Sequence, residues 1–183
     1  MFVDHTVESA PPGARRAMDA ASKRLGHLPP AVARMATSPE LLDGFPKASG
    51  LLETSTLDPI VREVLVMTIA ARNGCHVCVA MHSAKLQALG AGELVEALAA
   101  QRELTDPRLE AMRVFTVEVL AATGDVQGKA LEAFLAQGFT QRNALEVVLG
   151  IGAYTMSTLA NRMTRGAVDR QLIGHRPGQL SDG

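Results

Sequence analysis

The chain is expected to fold as an all-α domain, on three features of its sequence. Apolar residues recur at three- and four-residue intervals, and no alternating β pattern runs for more than a few residues. Proline directly follows a capping residue at Ser38-Pro39, Asp58-Pro59 and Asp106-Pro107, so a side-chain oxygen meets the free N–H groups while proline fills a position that needs none. Glycine interrupts the runs at Gly26, Asn73-Gly74, Gly90, Gly124 and Gly138, where helices are expected to stop.

Residues 1–12 end in Pro11-Pro12 and read as an extended N-terminal arm. Residues 13–25 are Ala-rich and helical, and their basic side, Arg15, Arg16, Lys23 and Arg24, reads as a solvated face. Gly26-His27-Leu28-Pro29-Pro30 ends this helix and makes His27 a loop residue. A short helix over 30–37 follows, then one over 39–52 in which Gly44, Pro46 and Gly50 predict a bend or break. The helix from Asp58-Pro59 carries Ile60, Val64, Leu65, Met67 and Ile69, enough to bury it on most sides. Asn73-Gly74 then turns the chain into a second helix with the cysteines in its first turn or two.

Further helices are expected over 93–101, from Asp106-Pro107 to Gly124, over 126–137, and from a cap at Gly138-Phe139-Thr140 to about Met163. The last has an apolar stripe through Leu145, Val148, Leu149, Gly152, Met156, Leu159 and Met163, with Val147, Ile151 and Tyr154 opposite. A helix of this kind wants burial all round, which predicts a homo-oligomer. Gly150-Ile151-Gly152 lies inside that helix and lacks a third glycine, so it reads as close helix packing rather than a dinucleotide loop. The organisation is one domain over 1–183, with its motif core at about 40–125 and a C-terminal tail at 170–183.

Composition narrows the function. A single 183-residue domain buries roughly 70% of the surface its unfolded chain would expose, so neither metal nor disulfide is required to hold it together. Net charge is −1, basic residues are scattered and aromatics are only 3% with no Trp, so nucleic-acid binding lacks both its charge and its stacking surfaces. No signal peptide is visible, and the longest uncharged stretch, 147–161, is too short and too rich in Gly, Ser and Thr to span a bilayer. The expected setting is cytoplasmic, where a Cys-x-x-Cys pair is more often catalytic or metal-binding than a permanent staple.

Both cysteines fall in one stretch. Cys75 and Cys78 stand at i, i+3 and His82 follows Cys78 at i+4, so on a helix the three share a face, with the Cys Cα atoms roughly 5 Å apart. Glu63 would lie about 18 Å from Cys75 on one straight helix. A reversal at Asn73-Gly74 brings Glu63 level with His82, since each sits roughly 12–15 Å along its arm. The resulting Glu–His–Cys–Cys cluster has three readings: a redox dithiol with His82 as base and Glu63 orienting it, a zinc site, or two buried cysteines beside a satisfied histidine.

Glu63, Cys75-His76-Val77-Cys78 and His82, with eleven and three residues between them, resemble the signature of the AhpD-like alkylhydroperoxidases of the carboxymuconolactone decarboxylase superfamily. A looser likeness runs from Leu28-Pro29 and Ser38-Pro39 to Asn161-Arg162, and in resembling proteins the region around His27 can approach the active site. The resemblance implies an all-helical domain whose central hairpin carries the Cys-x-x-Cys pair, with Glu63, Cys75, Cys78 and His82 catalytic and neither cofactor nor metal. It implies that Cys78 attacks a hydroperoxide and Cys75 closes a disulfide, which a dithiol partner such as a lipoylated or thioredoxin-like protein reduces. It also favours a trimer or a hexamer of trimers. This chain departs from the pattern at Val77, where relatives carry His or Tyr, and has its histidine at position 76 instead. A lactone decarboxylase is the superfamily's other activity, but those relatives lack the cysteine pair. Residue chemistry alone divides the roles: the helix dipole favours Cys75 as nucleophile, whereas His82 one turn away favours Cys78, and a positioned base outweighs a helix end.

Overall fold

The computed structural model describes residues 1–126 and 128–178. Among the described residues all regular structure is helical: α1 (Pro12–Leu25), α2 (Pro30–Met35), α3 (Pro39–Glu53), α4 (Pro59–Arg72), α5 (His76–Ala88), a 3-10 turn (Gly92–Leu94) running into α6 (Val95–Ala99), α7 (Pro107–Ala121), α8 (Lys129–Ala136), α9 (Gln141–Met163) and a closing 3-10 turn (Arg170–His175).

The caps read from sequence do what their chemistry requires. Ser38 Oγ accepts from Leu41 N at 3.3 Å, Asp58 Oδ1 from Val61 N at 3.0 Å and Asp106 Oδ1 from Leu109 N at 3.0 Å. Thr140 and Asn143 cap α9 reciprocally, each side chain accepting the other's backbone N–H.

α4 is the centre of the molecule. It packs against α5, α7, α9 and α6, and Val64, Leu65, Met67, Ile69 and Ala70 are fully enclosed. Beyond α7, Phe115, Phe134 and Phe139 stack at 4.2 and 4.3 Å between ring centroids and close that end of the core. A Cβ built on Gly150 would sit 2.6 Å from Leu65 Cδ2, so α9 crosses α4 closely because that residue has no side chain. Close packing is therefore the role of Gly150, while Gly152 faces open space.

Several boundaries differ from expectation. Pro46 lies inside α3, which continues through it to Glu53, so it does not end the helix. α8 starts at Lys129, after Gly128 at φ +63°, three residues later than the apolar pattern suggests. The helix expected over 93–101 divides into a 3-10 turn and the short α6. The N-terminal arm is tied down, with His5 N donating to Ala33 O at 3.2 Å and Ala10 buried against α1. Part of the predicted tail folds back: Arg170–His175 packs on α5, while residues 179–183 lie outside the described residues.

Candidate active site

Gly74, at φ +63°, makes the turn between α4 and α5, and Arg162 of α9 braces it by donating to Asn73 O at 2.6 Å. The hairpin brings Glu63 and His82 level, both buried, with Nδ1 of His82 at 2.5 Å from Glu63 Oε2. Burial pushes the Glu63 carboxyl up, but the His82 hydrogen bond and the charges of His82 and Lys85 outweigh it and hold its pKa below the usual range. Glu63 is therefore a carboxylate, Nδ1–H donates to it, and Nε2 is the ring atom left to exchange a proton. Lys85 Nζ sits 3.4 Å from Glu63 Oε1 and 3.5 Å from Glu53 Oε1, bridging α5 to α3 and α4.

The helix begins one residue later than the spacing suggests. α5 starts at His76, so Cys75 is its N-cap, and the Cys75 sulfur accepts from Cys78 N at 3.3 Å. Both cysteines are reduced and buried, and their sulfurs are 2.9 Å apart in a shared hydrogen bond. That bond, with the backbone N–H of Cys78 and despite burial, holds the Cys75 thiol down to about 7. Cys78 is pushed up by the same bond, by burial and by the charge on Cys75, while Ser157 and Asn161 pull the other way. Among the described residues no hydrogen bond joins His82 to either sulfur.

α9 forms the opposite wall. Asn161 Nδ2 approaches Cys78 Sγ at 3.5 Å and Ser157 Oγ at 3.7 Å, and the Tyr154 ring meets His82 edge-on at 5.1 Å. These three residues stand at i, i+3 and i+7 and so share one face. Beside His82 lies a cavity of about 510 Å³ with His82, Val77, Met81, Phe45 and Tyr154 on its wall, and neither cysteine lines it. Val77 is thus a wall residue, whereas His76 is exposed. At the rim His27 Nε2 pairs with Asp169 Oδ2, which raises the His27 pKa, and both residues line the cavity.

The four residues singled out from sequence form two pairs, Glu63–His82 and Cys75–Cys78, carried by one hairpin, with no hydrogen bond between the pairs among the described residues. Sequence reasoning missed Ser157 and Asn161, although polar residues on one face of an otherwise apolar helix were a usable signal. It also placed His27 in a loop without a partner, because nothing local links position 27 to 169. Among the described residues no three His, Cys, Asp or Glu side chains converge as metal ligands would, and no helix is long and apolar enough to cross a membrane.

The model of the carboxymuconolactone decarboxylase family matches residues 39–115, which include Glu63, Cys75, Cys78 and His82. A solved structure with an alkylhydroperoxidase AhpD core, an uncharacterized peroxidase-related protein from Ralstonia eutropha JMP134, superposes with a TM-score of 0.82 at 21% identity, covering 97% of this chain and 95% of that one. Residues 39–115 are thus similar to the carboxymuconolactone decarboxylase family, and the chain has the AhpD-like fold. Its AhpD-like fold recurs in an uncharacterized peroxidase-related protein from Silicibacter sp. TM1040, with TM-score 0.78, 21% identity and 94% of each chain covered. It recurs again in the debrominase Bmp8 in its apo form, with TM-score 0.68, 14% identity and 90% of each chain covered. No curated protein matches the sequence. Within this AhpD-like chain the family segment supplies both sulfurs and the Glu63–His82 pair, while α9, which meets Cys78 from the other side, lies wholly outside it.

Proposed function

We propose that the chain is a thiol-dependent peroxidase that reduces organic hydroperoxides through a Cys75–Cys78 dithiol–disulfide cycle, serving antioxidant defence. The carrying observation is two free sulfurs 2.9 Å apart at the start of the helix whose Glu63-bound His82 lines a largely apolar cavity. At neutral pH the pair shares one proton, and transfer of that proton to Cys75 puts the charge on Cys78. Cys78 Sγ then attacks the terminal peroxide oxygen: an S–O bond forms, the O–O bond breaks, and the departing alkoxide takes a proton by way of His82 Nε2. Cys75 next attacks Cys78 Sγ, forming the S–S bond and releasing hydroxide, which leaves as water with the proton from Cys75. An external dithiol, such as that of a lipoylated or thioredoxin-like protein in the cytoplasm, restores the pair.

The test is a thiol count before and after one equivalent of an organic hydroperoxide. Two thiols per chain should fall to none, with one alcohol formed and a mass loss of two hydrogens, and a dithiol should restore the thiols and the mass. An unchanged thiol count would reject the reading. A debrominase with the same fold gives a second electrophile class to try, and turnover of a halogenated substrate without peroxide turnover would redirect the same dithiol. We also propose a homo-oligomer, supported by the exposed Leu145, Val148, Leu159 and Met163 along α9, with a trimer or a hexamer of trimers favoured by the AhpD-like resemblance. Light scattering that returned the mass of one chain at micromolar concentration would contradict it.

A further inference from the structure

We infer that Asn161 and Ser157 of α9 are positioning residues for Cys78: they donate hydrogen bonds to its sulfur and so select it, over Cys75, as the sulfur that carries the charge and takes the peroxide oxygen. This rests on the thiol peroxidase reading and adds a part of the site contributed from outside the family segment.

The geometry gives the sulfur a donor set of its own. Asn161 Nδ2 lies 3.5 Å from Cys78 Sγ and 3.5 Å from Ser157 Oγ, and Ser157 Oγ lies 3.7 Å from the same sulfur. These are lengths suited to sulfur acceptors, whose lone pairs are diffuse. Asn161, Ser157 and Cys78 are 3%, 5% and 4% exposed, so water does not compete for these contacts. A buried asparagine that serves structure normally satisfies both ends of its amide. Here Asn161 Oδ1 has no partner among the described residues, and the amide nitrogen reaches nothing but Cys78 and Ser157. Every side-chain hydrogen bond that Asn161 makes is therefore directed at the sulfur or at the hydroxyl beside it.

The consequence follows from proton position. With Cys75 at the helix cap and bonded to Cys78 N, the resting charge sits on Cys75. Nothing on the α5 side favours the reverse arrangement, because His82 is turned to Glu63. Donors arriving from α9 are what stabilise the form with the proton on Cys75 and the charge on Cys78. They remain in place when oxygen is added to that sulfur, and Asn161 Oδ1 is then the nearby acceptor available to a sulfenic hydroxyl.

The experiment uses the full chain in a Cys75→Ser background, where Cys78 is the sole thiol, and reads the thiolate by its ultraviolet absorbance against pH. Asn161→Leu should move the midpoint up by about one to two pH units and slow formation of a trapped sulfenic acid by roughly 10- to 100-fold at neutral pH, the effect of a hydrogen bond to a charged group. Ser157→Ala should move both in the same direction by less, and Ser157→Thr, which keeps the hydroxyl, should restore them. Asn161→Asp, of equal size but without the donor, covers the case in which the Leu variant does not fold. Folded variants whose midpoint and trapping rate match the parent would overturn the proposal, whatever their thermal stability. A parent that forms no sulfenic acid with cumene hydroperoxide would instead sink the peroxidase reading, and the pH titration would still decide whether the donors act on Cys78.

Discussion

Near its N-terminus α9 sets Asn143 and Glu146 against Thr56, and near its C-terminus it sets Ser157 and Asn161 against Cys78. Both are buried polar clusters that pin the same helix to the α3–α5 side of the molecule, but their bonding differs. At the first, Glu146 accepts from Thr56 N at 2.9 Å, Thr56 Oγ1 at 2.8 Å, Asn143 Nδ2 at 3.0 Å and Arg142 Nε at 3.1 Å. At the second, the contacts run from 3.5 to 3.7 Å and an amide oxygen is left without a partner. A saturated network fixes one geometry and has nothing left to give a ligand. An under-saturated one holds its groups in place while keeping bonding capacity for a state that has not yet formed.

The comparison can be broken by removing one cluster at a time, and the largest effect is expected at the sulfur. Cys78→Ser should abolish hydroperoxide consumption, while Cys75→Ser should complete a single turnover and leave a trappable sulfenic acid; the opposite pattern would transfer the nucleophile to Cys75. In the intact reduced protein, alkylation of Cys75 should rise with pH about a midpoint near 7. Next in size, His82→Ala or Glu63→Ala should slow the first turnover by about 10²- to 10⁴-fold while the oxidised protein is still reduced normally by a strong dithiol. Stopped-flow measurement with an unchanged rate would remove the pair from the chemistry.

Glu146→Ala should do the reverse. It leaves Thr56 N–H and the Thr56 hydroxyl without their acceptor, costing about 3 kcal/mol and roughly 6–12 °C in Tm, with single-turnover rates unchanged. Burial raises the Glu146 pKa but its donors outweigh that and lower it below its ordinary 4.5, so its contribution is complete above that value and is lost as pH falls through the lowered one. Glu146→Gln should accordingly flatten the acid limb of the stability curve, and an acid limb identical to the parent's would contradict the assignment. Smallest is Gly150→Ala, which drives a methyl group into Leu65 and should cost about 1–3 kcal/mol by denaturant unfolding without touching the thiols.

Local chemistry made much of this legible in the sequence. Capping side chains, the Asn73-Gly74 reversal and the Glu63-to-His82 spacing are short-range facts, and they suffice to build the α4–α5 hairpin and one half of the site. The start of α8 was harder to read because Gly128 takes a positive φ that apolar periodicity does not encode. The other half of the site was hidden for a different reason. Ser157 and Asn161 stand 79 and 83 positions from Cys78, and small polar residues in a helix have many ordinary uses until packing shows what they face. The His27–Asp169 pair spans 142 positions and leaves no local trace at all.

Tyr154 is the protein's single tyrosine, the chain has no tryptophan, and this ring stands on the cavity wall edge-on to His82. The molecule's tyrosine emission therefore comes from one ring, on the wall of that cavity. Quenching or enhancement of that emission is a label-free titration of cavity occupancy. Because the same ring lies beside the His82 imidazole, stopped-flow emission can time the arrival of a compound separately from any thiol chemistry that follows.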